Sequence, residues 1–153
     1  MKKKIIPLIL ITLLLTLTTI TATPQTNNTT IKLTINNQTT TAHMIQNPTS
    51  DEFLQLLPLE LELNDLFARE KYAQLPKTIT DQSEKVNSYE IGYIAYYQPT
   101  NSIAIYYEQD NQEIKEGIIP IAIIDNNNID MFKQNNTKVK IELNTRKKQS
   151  KRF

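Results

Sequence analysis

Leu59-Glu60-Leu61-Glu62-Leu63 alternates apolar and acidic residues without a break. That period of two constrains the chain more than any other feature, because it describes a strand with one face in a core and the other in water. The residues before it describe a helix. Asn47 is a good N-cap, and Pro48 suits the first helical position, where no amide donor is needed. Thr49 and Glu52 offer an alternative capping box, and Asp51 and Glu52 fall in the first turn, where the helix dipole favours negative charge. Phe53, Leu56 and Leu57 share one apolar face, and Pro58 is expected to end the helix. After the strand, Asn64-Asp65 reads as its break. Leu66 to Tyr72 then reads as a crossing, with Tyr72 and Leu75 pinning it against the core and Pro76 holding Leu75 extended.

These motifs carry a resemblance. Asn47-Pro48-Thr49, Leu56-Leu57-Pro58-Leu59 and Glu70-Lys71-Tyr72-Ala73-Gln74-Leu75-Pro76 are similar to segments of the small bacterial and archaeal cyclophilin-like domain proteins. A second run fits as well: Tyr89-Glu90-Ile91-Gly92-Tyr93, then Tyr96-Tyr97-Gln98-Pro99-Thr100-Asn101 and Ile103-Ala104-Ile105-Tyr106-Tyr107. The resemblance spans Thr30 to Leu143. It implies a mainly β fold, a closed eight-stranded cyclophilin-like barrel with one or two short helices. It implies no established activity.

Other segments agree with a barrel. Ile31, Leu33 and Ile35 alternate with polar residues, Asn36-Asn37 offers a hairpin turn, and Thr39 to Ile45 returns, where the resemblance implies a register with Ala42 and Met44 inward and so His43 outward. Ile118 to Ile124 is nearly all apolar, with Pro120 implying an edge or a bulge. Asp125 is placed to cap a short helix carrying Ile129 and Phe132. Lys138 to Leu143 closes the barrel with Val139, Ile141 and Leu143 inward. Gly92 within a strand suggests a bulge or a close backbone approach. The polar stretch from Lys77 to Val86 reads as a long loop of the kind that often carries function.

The domain plan has four parts. Residues 1–22 combine Lys2-Lys3-Lys4, an apolar run and Ile20-Thr21-Ala22, the pattern of a signal peptide or, if uncleaved, an N-terminal anchor. Either reading exports the domain. Residues 23–30 read as a polar linker, 31–143 as the barrel and 144–153 as a basic, disordered tail.

Composition narrows the chemistry. A net charge of +1 gives no nucleic-acid footprint, and the only expected membrane contact is the N-terminal segment. There is no cysteine and one histidine, so no metal site and no cofactor is expected. No Ser or Cys nucleophile has a histidine beside it, and there is no glycine-rich phosphate loop. Cyclophilin isomerases set an arginine over the proline amide, beside Phe, Gln, Trp and His. Here there is no Trp, and Arg69 is the one arginine between the linker and the tail. Arg69 is therefore the weak catalytic candidate for an unconventional peptidyl-prolyl isomerase. Its plainer role is a surface ion pair with Glu70 or Asp65. The favoured function is a non-catalytic module that binds a peptide or small ligand in a pocket around Glu70, Tyr72, Tyr93 and Tyr97. The tyrosine-rich strands supply its aromatic surface.

Overall fold

Two-residue alternation builds the wall. The computed structural model describes residues 25–80, 83–135 and 137–145. Residues 1–22, read from sequence as a signal peptide or anchor, and residues 146–153 of the expected basic tail lie outside the described residues. The strands are β1 (Thr26–Ile35), β2 (Gln38–Ile45), β3 (Leu59–Leu66), β4 (Glu70–Gln74), β5 (Tyr93–Tyr97), β6 (Ser102–Tyr106), β7 (Ile119–Ile124) and β8 (Thr137–Leu143). They close an antiparallel barrel in the order β1-β2-β7-β5-β6-β4-β3-β8, with β8 paired back to β1. Inward positions carry the apolar halves of the alternation. Ile31, Leu33, Ile35, Ala42, Met44 and Ile141 are fully buried. The β1–β2 turn places both Asn36 (φ 47°) and Asn37 (φ 65°) in the left-handed region, which asparagine tolerates well.

Helix α1 (Pro48–Leu54) closes one end of the barrel, inserting Phe53 into the core. A kinked 3-10 segment at Asn126–Lys133 closes the other end with Met131 and Phe132. The Asn-Pro-Thr motif is a clip. Asn47 Oδ1 accepts from Ser50 N at 2.8 Å, and Asn47 Nδ2 donates to the Pro120 carbonyl of β7 at 2.9 Å. Thr49 and Ser50 are fully buried, and Thr49 Oγ1 bonds Ser83 Oγ at 2.8 Å. One polar side chain thus caps the helix and ties it to the sheet, so that buried backbone groups keep partners.

Several expectations need correcting. The helix stops at Leu54, before Pro58 is reached. Glu52 makes no capping box; it accepts the Thr80 amide at 2.6 Å instead. With Thr49–Ser83, that bond fixes the polar loop 77–86 to α1, and Ile79 enters the core. Strand β3 runs through Asn64-Asp65 to Leu66, because both residues pair with β4. Glu70 to Gln74 is a strand bonded on both sides, to β3 and β6, and not a crossing. Strand β1 begins at Thr26, inside the stretch read as linker. Gly92 (φ 93°) sits in the turn before β5 and bonds the Tyr106 carbonyl at 2.8 Å. Pro120 does lie at a register shift, between the Ile94–Ala122 and Ala95–Pro120 pairs. Asp125 precedes the 3-10 segment but pairs with His43 at 3.2 Å rather than capping it. Leu143, at the last turn of the wall, is 49% exposed.

Candidate ligand groove on the barrel wall

The candidate site arises from strand parity. On β4, Lys71 and Ala73 point into the barrel, so Glu70, Tyr72 and Gln74 point out. Their partners on β6 are Tyr106, Ala104 and Ser102, and Ala104 also pairs with Ala95 of β5. Small residues at the centre of this outer face leave a depression. A second apolar cluster covers part of it: Tyr89, Ala95, Ala104, Tyr106 and Ile118, with Tyr93, Tyr97 and Ile114 packed against them. What stays open is a groove of about 500 Å³. Its floor is Tyr72, Ser102, Ala104 and Tyr106. Leu66 and Phe67 form one lip and the Glu113–Glu116 segment the other, with Tyr97 and Thr100 towards its end.

Both lips are held in place. The β3–β4 turn puts Phe67 (φ 57°) and Ala68 (φ 51°) in the left-handed region, and Asp65 Oδ1 accepts the Ala68 amide at 3.0 Å. That backbone costs about 1 kcal/mol per non-glycine residue, and it leaves Phe67 73% exposed beside the groove. The opposite lip is fixed by Asn87, whose Nδ2 donates to the Ile114 carbonyl at 2.8 Å and the Lys115 carbonyl at 3.2 Å. Gly117 (φ 73°) makes that turn possible, since a Cβ there would lie 2.9 Å from Lys85 Cβ.

Arg69 joins the two sides. Its Nε donates to Glu70 Oε2 at 3.1 Å, and its Nη1 to Asp110 Oδ2 at 3.0 Å. Its carbonyl accepts the Tyr107 and Glu108 amides. The guanidinium lies 5.2 Å from the Phe67 ring and 5.4 Å from the Tyr89 ring. Tyr89 in turn donates to Asp110 Oδ1 at 2.6 Å and stacks on Tyr106 with centroids 4.2 Å apart. Burial pushes the Glu70 carboxyl up, and its pairing with Arg69 only partly offsets that. Burial pulls the Arg69 guanidinium down, but its bond to Asp110 and the charge of Glu70 outweigh burial, so its proton is held more tightly than usual. Burial beside Glu70 pushes the Tyr106 phenol far up, so it stays a neutral donor.

A second polar knot lies on the inward side of the same strands. Lys71, 1% exposed, donates to Asp65 Oδ2 at 2.8 Å, and Tyr107 donates to the same oxygen at 2.5 Å. Burial opposes ionisation of Asp65, yet the bonds from Lys71, Tyr107 and the Ala68 amide leave its carboxyl below the usual range. Asp65 therefore serves Lys71, not Arg69.

The structure brings Glu70, Tyr72 and Tyr97 to one groove. Tyr93 is not on its lining; it packs on the cluster behind. Tyr72 is half-buried and outside both apolar clusters, so it is not the buried pin expected from sequence. Arg69 is 7% exposed and chelated, so its ion pair is not a surface one. Sequence reading missed Phe67, Asp110, Glu113 and Glu116. Parity along β6 from Ala104 places Tyr106 on the groove face. Nothing in the sequence marks the left-handed turn that presents Phe67.

A family model described as the cyclophilin-like family matches residues 33–142. The chain belongs to the cyclophilin-like family. Solved structures with this cyclophilin-like architecture include the solution structure of a hypothetical protein from Archaeoglobus fulgidus. It is 14% identical, with a TM-score of 0.62, over 77% of this chain and 96% of that one. The structure of McbB in complex with tryptophan is 16% identical, with a TM-score of 0.56, over 76% of this chain and 45% of that one. Both likenesses are of fold. No protein in the curated set matches this cyclophilin-like chain.

Proposed function

We propose that this cyclophilin-like chain is an extracytoplasmic, non-catalytic binding module that takes a short peptide or small ligand in the groove over β4, β6 and β5. The observation that carries the reading is the aromatic surface left open there. Tyr72, Tyr97 and Phe67 surround a cavity of about 500 Å³, within the usual size range of ligand pockets. Tyr72 contributes a half-buried ring, while Tyr89 of the same wall is packed away behind it. The loops that frame the groove are fastened before any ligand arrives, which lowers the entropy cost of binding.

The donors present support the non-catalytic reading. Arg69 spends its Nε and Nη1 on Glu70 and Asp110, so its charge is already balanced by two carboxylates. His43 lies on β2 and pairs with Asp125, away from the groove lining. Among the described residues no cluster of side chains fits a metal ion. Export rests on the charged and apolar pattern of residues 1–22. N-terminal sequencing of protein from the native host tests it, with a start near Thr23 expected if the segment is cleaved.

Titration with two blocked neutral dipeptides, acetyl-Gln-Phe-amide and acetyl-Ala-Pro-amide, tests the groove. Saturable NMR shifts at Tyr72, Tyr97 and Tyr106 are expected from at least one. Shifts confined to another face would refute the reading. Exchange spectroscopy on the prolyl peptide tests the isomerase alternative. No acceleration is expected, and an acceleration abolished by Arg69→Ala would reinstate it.

A further inference from the structure

The charges around the groove have a sign. We infer that its ligand carries a cationic group beside an apolar or aromatic one, an inference that rests on the groove being the binding site. Glu113 and Glu116 stand on one lip with Lys115 between them, all three exposed. Burial first, and then the nearby Glu116 charge, push the Tyr97 phenol up, so a carboxylate stands at the groove's aromatic end. The remaining cation, Arg69, is already neutralised by Glu70 and Asp110. On the lining the carboxylates Glu70, Glu113 and Glu116 face the cations Arg69 and Lys115, and Asp110 behind the lip adds a further carboxylate on Arg69. A ligand carboxylate would meet a guanidinium whose Nε and Nη1 are taken and whose charge Glu70 and Asp110 already balance. An ammonium or guanidinium would find two rim carboxylates and the faces of Tyr72, Tyr97 and Phe67, and aromatic faces attract cations. The apolar part of such a ligand would lie on Ala104 and the Tyr72 ring.

Three blocked dipeptides that differ in one charge test this on the full-length protein: acetyl-Lys-Phe-amide, acetyl-Gln-Phe-amide and acetyl-Glu-Phe-amide. The lysyl peptide should bind about two- to five-fold tighter than the glutaminyl one at low ionic strength, and the glutamyl peptide weakest, on the scale of exposed ion pairs. The preference should shrink as salt rises. The double variant Glu113→Gln, Glu116→Gln should lose the lysyl preference, so that the lysyl and glutaminyl peptides bind alike. Both positions are exposed, and far-ultraviolet circular dichroism verifies that the variant folds. Equal binding of all three peptides at the groove, or tightest binding of the glutamyl one, overturns the cationic inference and leaves the groove intact. No shift at Tyr72 or Tyr97 with any peptide overturns both.

Discussion

Replacing Arg69 with alanine separates a structural latch from a catalytic arginine. Glu70 is 5% exposed and Arg69 is its cation at 3.1 Å. Removing one partner of a buried pair strands the other, at a cost of about 3 kcal/mol. Glu70 has an escape, because it can take up a proton. Its carboxyl is already raised in the fold, by burial first. A group raised above its unfolded value contributes stability that is fully present below the unfolded pKa and lost as pH rises through the folded one. Without Arg69 the rise is larger. The deficit of Arg69→Ala relative to the native chain should therefore be about 3 kcal/mol near pH ~8 and clearly smaller near pH ~5. Arg69→Lys keeps a charge but cannot fork between Glu70 and Asp110, so it should fall between the two. Urea unfolding followed by circular dichroism suits a chain without Trp. A deficit below about 0.5 kcal/mol at the higher pH, the range of ordinary surface changes, would refute the latch. So would a deficit that does not change with pH.

Asn47→Ala should cost about 2 kcal/mol in urea unfolding, since it removes an N-cap bond and the tie to the Pro120 carbonyl together. Phe53→Ala should cost about 3 to 5 kcal/mol by opening a cavity under the helix. In acid the sign reverses from that of Glu70. Asp65 is held below its usual range, so its contribution is present above the unfolded value and lost as pH falls through the folded one. Asp65→Asn should flatten the acid limb of a stability–pH profile and leave the neutral region's slope unchanged.

How far the sequence could be read follows from where charge was buried. Leu59 to Leu63 and Ile31 to Ile35 alternate cleanly because their outward residues meet water, so pattern alone places them. Strand β4 hides its parity. Lys71 occupies an inward position and is satisfied there by Asp65, and Glu70 is buried on the outer face by Arg69 and Tyr106. Charged residues that reach a core only in pairs look like loop in a single segment. The partner that makes Arg69 a latch, Asp110, is distant in sequence, and no local pattern announces it. The aromatic wall was legible as tyrosine density. Which rings face the groove was not, because that depends on the register of β5, β6 and β4 and on two covering loops.

The central claim is that Tyr72 serves the groove and not the core. Paired measurements on Tyr72→Ala test it most directly: urea unfolding, and calorimetric binding of whichever neutral dipeptide shifts the groove. A half-buried ring predicts a stability loss of only about 1 kcal/mol together with at least about a ten-fold loss of affinity, equivalent to 1.4 kcal/mol of binding energy. A stability loss of about 3 kcal/mol or more with unchanged peptide affinity would contradict it and return Tyr72 to the core.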